Sequence, residues 1–199
     1  MISERPDYKE IAAICGAVAA VTNEIFIGTS ATNLNKRHPT VTASIGSTLH
    51  RLSEGRFALG LAKGVALGWQ IRGMQPITYE REREFIDLLR RLWRGETIKG
   101  YEGSLGVYPL LSVADYLDEE LPILYVGFGP KSLEHAGQYY DGTHLHTFMN
   151  DKALSDSIAR VRAGEKLAGR RQGSVLNWSV YATCCDVSEE IYLLSLIHI

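Results

Sequence analysis

The sequence predicts an α/β protein of the (β/α)8 TIM-barrel type, incomplete here, with about five central strands and their helices. Two observations carry that expectation. Segments of helical and of strand periodicity alternate along the chain, which argues for a parallel sheet with right-handed crossovers. A single-domain barrel also takes ~250 residues, whereas this chain has 199, opening on a helix and closing on a strand. Five strands can complete an open doubly wound sheet, the competing architecture; a barrel needs three more, and the ragged ends favour a barrel with strands missing.

The elements follow in order. Tyr8 to Thr22 is Ala-rich with apolar residues at helical spacing, and Ile25 to Ala31 is a short β-branched run after the Asn23-Glu24 break. Pro39 suits a helix start, and Val41, Ile45, Leu49 and Leu52 follow at three- and four-residue steps until Gly55. Arg56 to Leu61 reads as the next strand. Tyr79 to Arg94 sets Phe85, Leu88, Leu89 and Leu92 on one stripe, and the run Glu80 to Glu84 is expected on the solvated side. Glu96 to Glu120 carries Gly100, Gly103, Gly106 and Pro109 and is long for a simple connection, so an insertion is expected there. Pro122 to Val126 is a buried strand, Ser132 to Tyr139 a helix, Thr143 to Phe148 a strand, Lys152 to Ala168 a helix and Val175 to Cys184 a strand.

Bulk properties narrow the class. With 45% hydrophobic and 22% charged residues the chain can bury a core as a globular domain. A net charge of −2, with mixed signs throughout, offers no basic stripe for a phosphate backbone, so no nucleic-acid partner is expected. The most apolar stretch, Ile11 to Val21, is interrupted by Gly16 and far shorter than the ~20 residues that span a bilayer, so no membrane partner is expected either. Three cysteines, two of them the adjacent Cys184 and Cys185, make neither a disulfide framework nor a metal spacing, which fits a reducing cytoplasm. No signal-peptide pattern opens the chain. At the other end Leu194 to Ile199 resembles the translation of a transposon-end sequence used in DNA-library adapters. The domain is therefore expected over 1–193, with 194–199 a non-native tail; a real apolar strand is the alternative.

In either fold the active site lies beyond the carboxyl ends of the strands. The segment Val126-Gly127-Phe128-Gly129-Pro130-Lys131-Ser132 is the sharpest one there. Its glycines let backbone approach an anion, Pro130 suits the first helical turn, and the amides of Lys131 to Leu133 with the Ser132 hydroxyl can donate to a phosphate. Lys131 adds a positive charge. The plainer reading is a glycine-containing turn in which Ser132 helps to cap a helix; the GK[ST] ending of a P-loop is absent. His144 and His146 alternate on one strand, but with His135 they gather no carboxylate or cysteine at ligand spacing, so no metal is expected. His146 is placed near the carboxyl end of its strand as a substrate or cofactor contact, with His144 below it in the interior. A packed, hydrogen-bonded histidine is the equal alternative. Cys184 and Cys185 point to opposite faces of a strand, as inert apolar residues do. Trp69, Trp93 and Trp178 read as packing or pocket-wall residues.

Gly28-Thr29-Ser30-Ala31-Thr32, then Arg37-His38-Pro39, then Leu52 to Leu61 (LSEGRFALGL), then Val126 to Ser132 and Asp141-Gly142 resemble, in this order, the luciferase-like family of oxidoreductases. The resemblance runs to about Val187. Within that family the chain looks closest to enzymes using the deazaflavin coenzyme F420, with FMN as the alternative cofactor. The resemblance implies that Thr29, Ser30 and Ala31 line the isoalloxazine-type ring, often with a bulge and a non-proline cis peptide, and that Val126 to Ser132 hold the ribityl phosphate. Arg37 or His38 would reach a polar cofactor edge or support the loop. Sugar-phosphate dehydrogenases of the family carry an acidic proton donor in the turn after the LGL strand, where this chain reads Ala62-Lys63-Gly64-Val65-Ala66-Leu67-Gly68-Trp69. No carboxylate stands there, so His38 is the candidate general acid in the chain, unless the acid lies on strands outside it.

The activity expected is hydride transfer between bound F420 and a small organic substrate, with an FMN-dependent monooxygenase as the second reading. The third is a non-catalytic fragment. A barrel lacking strands leaves open sheet edges, so the 199-residue chain alone is expected to be poorly soluble and to bind cofactor weakly. A homodimer of the parent protein stays open.

Overall fold

The computed structural model describes residues 1–4, 9–145 and 151–179. Their elements run α1 (Ile11–Val21), β1 (Ile27–Gly28), α2 (Pro39–Leu52), β2 (Phe57–Leu61), α3 (Ala66–Ile71), α4 (Tyr79–Trp93), β3 (Ile98–Gly103), β4 (Gly106–Leu111), β5 (Ile123–Gly127), α5 (Pro130–Tyr139), β6 (Gly142–Leu145), α6 (Asp151–Leu167) and β7 (Leu176–Ser179). His146 to Asn150, Cys184, Cys185 and the expected tail lie outside the described residues.

Local chemistry sets the helix ends. The Glu10 carboxylate accepts from the Ala13 amide at 2.8 Å and starts α1, which buries Ile11, Cys15 and Ala19 at four-residue steps. Pro39 occupies the first position of α2, behind His38 as its cap, and the chain leaves that helix through Gly55 at φ +82°. Thr78 caps α4 by accepting from the Arg81 amide at 3.2 Å, and the predicted stripe Phe85, Leu88, Leu89 and Leu92 is buried. One expectation for this helix fails. Glu82 is not solvated; it is 2% exposed. It precedes Phe85 by three residues and Ile86 by four, which puts it on the apolar stripe of the same helix.

The five strands β1, β2, β5, β6 and β7 form one sheet in that order, all neighbours parallel. Ile2 adds a parallel bridge to Thr29, so the residues before α1 also extend the sheet, a pairing the sequence did not announce. The sheet is curled. Ser30 follows β1 and His144 lies on β6, with two strands between them, yet their side chains meet at 2.7 Å. Three flat strand spacings of about 4.8 Å would hold them about 14 Å apart; closure toward a barrel brings them together. Leu59, Leu61, Ile123, Phe85, Leu89 and Leu133 lie in the core between this sheet and its helices.

The predicted insertion is a hairpin. β3 and β4 pair antiparallel, Ile98 opposite Leu111 and Gly103 opposite Gly106. Its strands are largely exposed, Val107 and Leu110 of the apolar β4 included, so no alternation of apolar and polar residues marks them in the sequence. Glu84 of α4 anchors it, accepting from the Ser104 amide at 2.8 Å, the Ser104 hydroxyl at 2.9 Å and the Tyr101 hydroxyl. The Tyr101 ring stacks on Tyr108, whose ring meets His38 edge-on at 5.0 Å.

β1 and β2 approach unusually closely above the core. Pairing runs from Gly28 opposite Ala58 to Thr32 opposite Leu61, four residues against three, so one strand carries a bulge. The Thr29 hydroxyl fills the gap, accepting from the Gly60 amide at 2.7 Å and donating to its carbonyl at 2.8 Å. A Cβ on Gly60 would stand 1.9 Å from the Thr29 carbonyl oxygen. We expect Gly60→Ala to force these strands apart and cost about 1–3 kcal/mol, measured by denaturant unfolding; unchanged stability would mean that the strands have room to separate.

Candidate active site

Residues 29–32, the bulge after β1, form one wall of a cleft at the carboxyl ends of β1, β2 and β5. The Ser30–Ala31 peptide is cis. Ser30, Ala31, Glu4, Val65, Trp69 and Val126 are among the residues lining a cleft of about 410 Å³. Thr29 is buried and spent on the Gly60 backbone, so of the three bulge residues singled out in the sequence it is Ser30 and Ala31 that face the cleft. His144 supports Ser30 through the 2.7 Å contact to its Nδ1. His144 is therefore the histidine that the described residues bring to this wall; His146 lies outside them.

Arg37 and His38 are held just outside the cleft. The Arg37 guanidinium donates to both Glu4 oxygens, at 2.5 and 3.4 Å, to the Thr32 hydroxyl at 3.1 Å and to Glu10. Glu4 in turn accepts from the Thr32 hydroxyl at 2.6 Å. The ion pair uses the charge of Arg37 and fixes the loop behind the bulge. His38 is exposed, with Nδ1 at 2.8 Å from the Thr40 hydroxyl and facing the Thr40 amide at the start of α2.

The turn after β2 carries Lys63 and Gly64 and is held by Trp69, whose indole N–H donates to the Lys63 carbonyl at 2.7 Å. No carboxylate lies between Ala62 and Trp69. Lys63 Nζ sits 3.6 Å above the centre of the Tyr79 ring, and the Tyr79 hydroxyl is 2.9 Å from the Ser132 hydroxyl.

Ser132 belongs to the turn after β5. α5 begins with Pro130 behind Gly129, and among the described residues no side chain caps it. The Leu133 amide closes the first turn on the Gly129 carbonyl at 2.9 Å, which corrects the expectation that it donates to a ligand. The amides of Lys131 and Ser132 have no carbonyl one turn back and point out of the helix end. A Cβ at Gly127 would meet the Tyr125 ring at 2.7 Å, so only glycine lets the strand turn here against that ring. Two outward amides, a hydroxyl and an uncapped helix N-terminus suit a phosphate. Lys131 is exposed beside them, and Phe128 and Pro130 face α6 across a separate depression.

Beneath Tyr79 lies a buried polar group, Glu82, His135 and Tyr140, that sequence reading did not bring together. The Glu82 carboxyl and His135 Nε2 are 3.8 Å apart, and among the described residues Glu82 Oε2, His135 Nε2 and the Tyr140 hydroxyl find no hydrogen-bond partner of good geometry, although the Tyr140 hydroxyl faces the Glu82 carboxyl. The His135 ring packs on Tyr79 at 4.7 Å and Tyr139 at 4.8 Å. Burial pushes the Glu82 carboxyl up to about 8 and the His135 imidazole down to about 4, the latter aided by the charges of Lys63 and Arg83. At neutral pH both groups are uncharged.

A family profile described as luciferase-like monooxygenase matches residues 2–191. The chain belongs to this family. The luciferase-like chain is 32% identical over 158 residues to an F420-dependent glucose-6-phosphate dehydrogenase of Microbacterium testaceum, covering 73% of this chain and 47% of that protein. It is 29% identical over 172 residues to a 5,10-methylenetetrahydromethanopterin reductase of Methanolobus tindarius, covering 85% and 51%. The chain thus spans about half the length of the curated relatives it matches. Among solved structures it is similar to the coenzyme F420 dependent tetrahydromethanopterin reductase of Methanopyrus kandleri, with TM-score 0.76 and 22% identity over 91% of this chain and 56% of that one. It is also similar to the FMN complex of the oxygenating constituent of 3,6-diketocamphane monooxygenase of Pseudomonas putida, with TM-score 0.73 and 19% identity over 99% and 60%. At such identities the likeness shows the fold, a curled parallel half-barrel of the TIM-barrel type, as the alternation of elements predicted.

The buried pair gives this luciferase-like chain a defined pH response. Glu82 is held above its ordinary 4.5, so its contribution to stability is full below pH 4.5 and is lost as pH rises through 8. His135 is held below its ordinary 6.5, so it destabilises as pH falls from 6.5 through 4. The two slopes oppose each other between 4.5 and 6.5; above 6.5 only that of Glu82 remains. We expect stability to fall by about 2 kcal/mol between pH 6.5 and 8, at ~1.4 kcal/mol per pH unit. Glu82→Gln should remove the fall. Denaturant unfolding at both pH values checks this, and a flat wild-type profile would show that the carboxyl is not held protonated.

Proposed function

We propose that the chain carries the cofactor-binding part of an oxidoreductase that moves a hydride between coenzyme F420 and a small organic substrate. The reading rests on one juxtaposition: the Ser30–Ala31 bulge and the uncapped start of α5 open onto the same end of the sheet, with Val126 lining the cleft between them. Ser30, Ala31 and Val126 would receive the ring, and Gly127, Gly129, Lys131 and Ser132 would hold the phosphate. When bound, the deazaflavin supplies the carbon that gives or takes the hydride. The chain orients that ring and excludes water from one face of it. The Ser30 hydroxyl, paired with His144, holds a proton at the inner wall of the cleft. The F420 preference is supported by the similarity to the two relatives named for F420. Glucose-6-phosphate chemistry is not proposed, because Val65 and its neighbours supply no carboxylate to the turn after β2.

A second reading, an FMN-dependent monooxygenase, is favoured by the similarity to the FMN-bound Pseudomonas putida structure. Titration of F420 and FMN, each followed by quenching of its own fluorescence, separates the two. Tighter binding of F420 is expected. Binding of FMN alone would replace the first reading with the second, and binding of neither would leave the chain a non-catalytic piece.

A further inference from the structure

Hydride transfer to or from a carbon that bears oxygen has a second half, because the oxygen must gain or lose a proton. The sequence offers His38 for that task, yet its ring caps α2 outside the cleft. The ionisable side chains among the described residues lining the cleft are Glu4, Lys36 and Arg72. Glu4 is committed to Arg37 and Thr32. Lys36 and Arg72 are donors only, and Arg72 is exposed and spends a hydrogen on the Gly68 carbonyl at 2.8 Å.

The inner wall holds a pair able to both give and take a proton. The Ser30 amide donates to the Ile2 carbonyl at 2.6 Å, which fixes the backbone and leaves the side chain to turn inward. There its hydroxyl meets His144 Nδ1 at 2.7 Å, across two intervening strands. Val126, His144 and Trp178 are aligned partners on β5, β6 and β7, so their side chains stand on one face of the sheet. Val126 lines the cleft, which puts His144 and the 44% exposed Trp178 on the cleft side. His144 thus stands between a valine and a tryptophan with the Ser30 hydroxyl against it, one polar pair in an apolar wall. A serine hydroxyl has one hydrogen and two lone pairs, so the contact with His144 leaves it able to meet a further partner from the cleft.

We infer that Ser30 is a catalytic residue, exchanging a proton with a substrate oxygen, and that His144 is the positioning residue at the other end of that proton's path. The substrate is then a small alcohol or the carbonyl compound formed from it. The inference rests on the hydride-transfer reading above and deepens it. In the oxidising direction the carbon–hydrogen bond of the alcohol breaks, and its hydride passes with both electrons to the deazaflavin. The alcohol O–H proton passes to Ser30 Oγ while the Ser30 hydrogen passes to His144 Nδ1, and the carbon–oxygen bond becomes double. One hydride has left carbon, one proton ends on the imidazole, and the serine is regenerated. Reduction of the carbonyl compound runs the same transfers backwards.

Two measurements test the pair. Nitrogen NMR of the free chain at mildly alkaline pH should show His144 with its hydrogen on Nε2 and with Nδ1 accepting from Ser30. A hydrogen on Nδ1 would leave no acceptor behind the serine and overturns the inference. The second measurement loads the chain with F420 and follows bleaching of the oxidised deazaflavin by ethanol, isopropanol and cyclohexanol. Fluorescence quenching gives the F420 affinity of each variant, so that rates are compared at saturating cofactor. Ser30→Ala and His144→Ala should each slow hydride transfer by about a hundredfold, and Ser30→Thr should keep most of the rate. Free imidazole should restore His144→Ala but not Ser30→Ala, a rescue that a purely structural histidine would not show. Alanine variants that match the wild-type rate, or an F420-loaded wild-type chain that oxidises none of the three alcohols, overturn the inference and spare the cofactor reading. A chain that binds no F420 overturns the hydride-transfer reading and the inference together.

Discussion

The close contact between the Thr29 carbonyl and Gly60 is the constraint on which the site depends. Two parallel strands are pressed together where a side chain would ordinarily stand, and Thr29 satisfies the Gly60 backbone with its own hydroxyl. One extra residue is thereby forced out of the β1 ladder. That residue excess turns Ser30 inward to His144 and presents Ala31 to the cleft. Remove the contact and the wall has no reason to bulge. The Glu4, Arg37 and Thr32 network then works as the outer support, holding the same segment from behind with an ion pair that burial shields from salt.

Charge is distributed around the site with a clear division. The interior beneath Tyr79 is polar but uncharged at neutral pH, because Glu82 and His135 each take the form that burial favours. Cations remain at the surface of the same cluster, on Lys63 and Lys131. An approaching anion meets positive charge and outward amides with no ionised carboxylate under them. Such an arrangement focuses attraction on one short segment even though the chain as a whole is slightly acidic.

How much of this was legible in the sequence follows from how far apart the participants stand. The alternation of elements, the Pro39 and Gly55 limits of α2 and the Phe85 to Leu92 stripe are local patterns, and the sheet built from them is parallel, as expected. The turn at Val126 to Ser132 was legible for the same reason, since its glycines, proline and hydroxyl are contiguous. The pairing of Ser30 with His144 joins residues 114 positions apart, and Lys63, Tyr79 and Ser132 come from three separate elements; no spacing rule reaches them. Glu82 was misread for a different reason. Five alternating charges suggest a solvated face, but the distances to Phe85 and Ile86 already placed it on the buried one. The hairpin escaped because its strands are largely exposed and carry no alternating pattern, and α3 because six residues are too few to show a helical period.

The hairpin has a mechanical role once its attachments are traced. Its turn is clasped by Glu84 near the start of α4, and its Tyr108 ring rests against His38 at the start of α2. These are the helices entered from the two turns that flank the cleft. The hairpin is therefore a brace across the outside of the mouth, setting how far the β1 and β2 loops can spread. Variation in its length or tip would change the width of the opening without touching a residue inside it, giving evolution a way to retune what enters while the cofactor grip stays as it is.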